Sequence, residues 1–89
     1  MKVVITIVGE DRVGIIAMVS KLLADSNTNI LNINQNILDG YFNMVMIADM
    51  GKSNTTLKEL QLVLRKCGEE IGLDIKVQHE DIFRLMHRV

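Results

Sequence analysis

Gly9 and Gly14 enclose Glu10-Asp11-Arg12-Val13 directly after the apolar run KVVITIV. The spacing G-x-x-x-x-G belongs to phosphate-binding loops, which need Lys and Ser/Thr after the second glycine to reach phosphate and metal. Ile15 and Ile16 stand in those places, and the dinucleotide spacing G-x-G-x-x-G is also absent. The loop therefore argues against nucleotide chemistry. Nucleophilic catalysis fares no better. Cys67 falls on the apolar stripe of a helix, where an inert core thiol is the better reading than a thiolate nucleophile. Ser20, Ser26 and Ser53 have no histidine near them in sequence, because both histidines, His79 and His87, lie at the far end of the chain. His79, Glu80 and His87 invite a metal reading, but their spacing is weak for shared coordination. No metal, no cofactor and no catalytic group is expected.

What remains chemically useful is the loop itself. If Asp11 accepts from the backbone near Gly14, it caps the following helix. The helix terminus then offers free N–H groups and its positive dipole end to an anion, such as a carboxylate. A glycine inside a helix costs roughly 0.5–1 kcal/mol relative to alanine. Two readings of Gly14 stay open: its missing side chain lets a ligand approach, or it relieves crowding between helix and sheet.

The elements that hold this loop follow from periodicity. Residues 2–8 are β-branched and short, a strand. From Asp11 to about Asp25, Ile15, Met18, Val19, Leu22 and Leu23 recur at helical spacing. Residues 29–38 alternate, with Asn32, Asn34 and Asn36 on one face. Asp39-Gly40 signals a tight turn, and YFNMVMIADM returns as the next strand. Thr56 with Glu59 forms a capping box ahead of the stripe Leu57, Leu60, Leu64, Cys67 and Ile71. Gly72 ends that helix, and LDIKVQH alternates as a last strand. A short amphipathic tail helix over 80–89 follows, with Ile82, Leu85, Met86 and Val89 on one side. Ile82, Phe83, Leu85 and Met86 are expected to pack against protein.

Strand-helix-strand-strand-helix-strand with right-handed crossovers predicts an α+β fold. It is a ferredoxin-like βαββαβ sandwich, with antiparallel sheet order 4-1-3-2 and two helices on one face. Residues 1–79 form the domain and 80–89 the tail. The odd positions (Val3, Ile5, Ile7, Leu31, Ile33, Val45, Ile47, Ile75, Val77) are expected to face the helices. An apolar stripe of Val4, Val8, Phe42, Met44 and Met46 is left for the open face, to be covered by the tail or a second subunit.

Bulk properties bound the function class. With 89 residues, 48% hydrophobic and 24% charged, the chain is one globular domain. A net charge of -1 gives no reason to expect nucleic acid or an anionic membrane. RNA-recognition modules share this topology but need stacking aromatics on their central strands. The first strand has none, and Asp39 replaces the basic residue expected before Gly40. A single cysteine fits a reducing compartment, and the leading apolar run is too short for a signal-peptide core. A cytoplasmic location is expected.

The segment V-x-G-x-D-R-V-G-I-I-A, followed by a helix and N-I-L-N-I-N, resembles the opening of an ACT domain. The resemblance runs from Val3 to about Val77. It extends to small stand-alone bacterial ACT proteins and to the ACT halves of the glycine-cleavage transcriptional repressor. Many members carry proline before the motif glycine, where this chain has Val13. The resemblance implies a non-enzymatic regulatory domain that binds an amino acid or similar small ligand at a subunit interface. A constitutive protein–protein module without a ligand is the alternative, and either reading admits a regulated protein partner. The candidate ligand residues are Gly9, Asp11, Arg12, Val13, Gly14, Ile15, Asn29 and Asn32. Residues 26–38 contain no charge and no proline, unusual for an edge strand that is not meant to pair. A homodimer through antiparallel second strands is expected, bringing the loop of one subunit near the other's Asn29 and Asn32.

Overall fold

Val3, Ile5 and Ile7 place three β-branched side chains on one face of strand β1 (Lys2–Glu10), and all three are fully buried. In the computed structural model, which describes residues 1–86, β1 is a central strand. It pairs antiparallel with β3 (Tyr41–Asp49) on one side and with β4 (Leu73–His79) on the other, so that Ile5 stands opposite both Met46 and Val77. Strand β2 (Asn29–Leu38) pairs antiparallel with β3, giving the order β2-β3-β1-β4. This is the expected order read from the opposite edge. Helices α1 (Ile15–Asp25) and α2 (Leu57–Glu70) cover one face, as the sandwich requires. A third helix, α3 (Glu80–Met86), follows β4 directly.

The parity expected for β3 is reversed. Ile5 opposes Met46 and Ile7 opposes Met44, so the odd positions of β1 share a face with the even positions of β3. Phe42, Met44, Met46 and Ala48 are buried in the core, while Val45 is exposed and Ile47 half-buried on the open face. Both faces of β3 are apolar, so alternation alone could not say which faced inward; the register to β1 decides. The open face thus carries Val4, Val8, Val45 and Ile47 rather than the methionines. In β2 a bulge between Ile30 and Asn32 takes up Leu31. Ile33 shares the helix face with Met46, yet Leu31 and Ile33 remain 46% and 41% exposed at the sheet margin.

The helices meet the sheet through Ile15, Val19 and Leu23 of α1 and Leu60 and Leu64 of α2. Cys67 is half-buried, its Sγ 3.1 Å from Met18 Sδ, a contact between the two helices. Thr56 caps α2 by accepting from the Glu59 N–H at 3.2 Å, as expected. The Glu59 carboxylate turns instead to the Thr55 hydroxyl at 3.2 Å, so the box closes on a neighbouring side chain.

The tail helix covers part of the open face, as expected, but with Phe83 alone of the four side chains expected to pack. Phe83 is half-buried over Val4, Val45 and Ile47 on the open face, flanked by Glu80 and Arg84. Ile82, Leu85 and Met86 are 53%, 68% and 64% exposed. Residues three and four apart share a helical face, so with Glu80, Phe83 and Arg84 toward the sheet, the Ile82–Leu85–Met86 row points away. Because no loop separates β4 from α3, the strand fixes that rotation. Val89 and His87 lie outside the described residues.

Candidate ligand site

The loop between β1 and α1 is shaped by its backbone. Gly14 is the N-cap of α1 at φ 92°, the left-handed region where a Cβ is strained. A Cβ built there meets nothing within 4 Å, so relief of crowding is not why glycine is present. Helix α1 accordingly begins at Ile15, not at Asp11, and no side chain caps it. Asp11 instead donates its backbone N–H to the Gly40 carbonyl at 2.8 Å, tying the loop to the β2–β3 turn. Helical bonding starts with Met18 N–H donating to Gly14 O at 3.0 Å, which leaves the preceding N–H groups of the first turn without intrahelical acceptors.

Beside this terminus lies an open cleft of about 330 Å³. Asp11, Arg12, Gly14 and Ile15 line it from the loop, and Gln35, Ile37 and Phe42 from the sheet. Its walls combine apolar side chains with one carboxylate, one guanidinium and one amide. Such a lining suits a small molecule with a charged head and an apolar body. Val13 is fully exposed at the tip of the loop. Gly9 is required by packing, since a Cβ there would stand 2.5 Å from Leu73 Cδ2 and 2.9 Å from the Gly72 carbonyl.

Asn29 and Asn32 are not brought to the loop within one chain. Glu10 and Leu38 both align with Tyr41, whereas Asn29 aligns with Asp49 at the other end of the sheet. Asn32 opposes Ile47 and so points to the open face. Sequence reasoning missed Gln35, which is on the helix face between Ile33 and Ile37 and reaches the cleft. The signal was available: one amide interrupts an otherwise apolar row. Of the serines, Ser26 and Ser53 bond to Thr28 and to backbone rather than to any histidine. Among the described residues, no three metal-ligating side chains gather, and no helix is long and apolar enough to cross a membrane.

Known proteins of similar sequence and fold agree with this architecture. A UPF0237 protein of Methanocaldococcus jannaschii is 47% identical over 88 residues, covering 99% of this chain and 98% of that protein. The solved ACT domain protein from Streptococcus pneumoniae superposes with a TM-score of 0.81 at 34% identity, covering 93% of each chain. Relatives thus occur in archaea as well as in bacteria, more widely than the resemblance implied. A glycine cleavage system transcriptional repressor shares the fold, with a TM-score of 0.73 at 24% identity over 89% of this chain and 47% of that one. The family model for the ACT domain, a regulatory ligand-binding module, matches residues 2–78. With βαββαβ order, the glycine-turned loop and these relatives in agreement, the chain belongs to the ACT domain family.

Proposed function

We propose that this chain is a non-enzymatic sensor of a small amino-acid-like ligand, acting as a homodimer and passing the signal to a regulated protein partner in the cytoplasm. The observation that carries the reading is the adjacency of an uncovered, uncharged strand edge to the loop cleft. Ile37 lies on β2 and also lines the cleft, so whatever pairs with β2 adjoins the ligand site. An antiparallel β2–β2 pairing about a twofold axis sets the Asn29 end of one strand beside the Leu38 end of the other. The loop N–H groups and Arg12 then receive the ligand carboxylate, Asp11 and Gln35 meet its ammonium and polar groups, and the partner subunit's Asn29 closes the site. Asn32, on the open face, contributes at the seam. Val13 and Ile15 supply apolar contact, while Gly9 and Gly14 hold the loop in shape.

A thermal-shift screen against the twenty amino acids tests the sensing claim. A ligand at a hundred times its Kd should add about 2.7 kcal/mol. No shift from any of them would reject this reading. The exposed row Ile82, Leu85 and Met86 supports a second reading, a constitutive protein–protein module. That reading predicts partner binding indifferent to every amino acid.

A further inference from the structure

A second cleft, of about 660 Å³, lies at the end of the sheet opposite the loop. It lies between the α1–β2 and β3–α2 connections and is lined by Asn27, Thr28, Asn29, Asp49, Gly51 and Lys52.

The two connections are cross-braced. Asn27, in the left-handed region at φ 55°, donates its side-chain amide to the Lys52 carbonyl at 2.7 Å. The Asn54 backbone N–H donates to Ser26 O at 3.0 Å. Thr28, only 5% exposed, bonds to the hydroxyls of Ser26 at 2.9 Å and Ser53 at 3.3 Å. Ser53 Oγ in turn donates to Ser26 O at 2.9 Å. These bonds fix the cleft walls before any ligand arrives, so little ordering cost remains for binding.

The groups on those walls are of mixed sign. Asp49 Oδ1 accepts from the Gly51 N–H at 2.8 Å and stands 3.8 Å from the Met1 ammonium. Its second oxygen, the Lys52 ammonium and the Asn29 amide have no partner among the described residues. A simple anion meets the Asp49 carboxylate here, and a simple cation meets Lys52 and the amino terminus. A molecule carrying both charges satisfies both walls. We infer that the Asn29–Asp49–Lys52 cleft is a second binding site, for a small zwitterion: its ammonium on Asp49 Oδ2 and its carboxylate on Lys52 and the Asn29 amide. Asp49 and Lys52 set this site apart: in the proposed dimer Asn29 also borders the partner subunit's loop cleft, so the two charge variants separate this inference from the loop-side reading.

The test uses free glycine as the smallest zwitterionic probe, titrated into the full chain while backbone amides are followed by NMR. The amides of Thr28, Asn29, Gly51 and Lys52 should shift together and saturate. Acetate and methylammonium, each holding half of the charge pattern, should produce no saturable shift there. Asp49→Asn keeps the acceptor for Gly51, and Lys52 is exposed, so Asp49→Asn and Lys52→Gln should both fold. Each should weaken the response about tenfold. Gly14→Ala should leave it unchanged, and shifts confined to residues 14–17 and Asn29 would report the loop site alone. Unmoved amides at residues 28–29 and 51–52 would overturn the proposal. So would equal response to acetate or methylammonium, or full response in both charge variants.

Discussion

Strands β4 and β2 bound the same sheet, yet their inward side chains meet different surroundings. Leu73, Ile75 and Val77 of β4 are at most 4% exposed, whereas Ile33 and Ile37 of β2 are 41% and 54% exposed. Helix α2 packs over β4, and its Gln61 donates the side-chain amide to the Val77 carbonyl at 2.7 Å. On the open face Asp74 and Lys76 of β4 form an ion pair at 3.7 Å, while the matching positions of β2 are Asn32, Asn34 and Asn36. Charges and a covering helix are the means by which sheets protect an edge, and a bare uncharged edge invites another strand. One margin is finished within the chain, and the other is bare, as the proposed β2–β2 pairing requires.

The largest effect should come from stripping the cover off β4. Leu64 is fully buried between α2 and the sheet, so Leu64→Ala should cost about 2–5 kcal/mol in urea unfolding. A loss under about 0.5 kcal/mol, the range of surface changes, would mean that α2 does not secure that edge. Charging β2 should do the reverse, damaging assembly and sparing the fold. Ile33→Lys puts an ammonium on the bare edge at a position already 41% exposed. Sedimentation should show the dimer weakened about a hundredfold, roughly 2.7 kcal/mol, with subunit unfolding changed by no more than about 0.5 kcal/mol. A wild-type chain that sediments as a monomer at micromolar concentration would break the comparison outright.

The same contrast explains what the sequence made legible. Element order, the Asp39-Gly40 turn, the Thr56 cap and the helix stripes rest on local chemistry, and the structure has each where the residues put it. The inward face of β3 was not legible, because Phe42, Met44, Val45, Met46 and Ile47 are apolar on both sides and only the pairing with β1 chooses between them. The tail failed similarly: its apolar row is plain, but the rotation of α3 is set by the end of β4. At the site, the loop motif was readable, while Gly14's reason was not. Its φ is a property of the chain path, invisible in spacing. Gln35 was obscured by Asn32, Asn34 and Asn36 of β2, which mark the other face as the polar one.

Gly14 carries the next prediction, which sharpens the link between the loop and the β2 edge. If its left-handed backbone is the reason for glycine, Gly14→Ala should cost about 1–2 kcal/mol. Gly14→Asn should cost less, since asparagine visits that region more readily. Equal losses in the two variants would point away from backbone strain and toward a contact with the ligand or a second subunit.

The smallest effect concerns the finished edge itself. Gln61 gives its amide to the Val77 carbonyl, so one backbone acceptor of β4 is occupied before any foreign strand arrives. Gln61→Leu keeps the helix propensity and most of the volume while removing that donor. Replacing a partly exposed hydrogen bond should cost about 0.5–1.5 kcal/mol, because water can rehydrate the carbonyl. The informative reading is association: with Asp74 and Lys76 still on the strand and α2 still above it, the variant should keep the wild-type oligomeric state. Larger assemblies in Gln61→Leu would mean that this single hydrogen bond, rather than the helix and the charges, keeps β4 closed. The asymmetry between the two edges would then rest on one side chain.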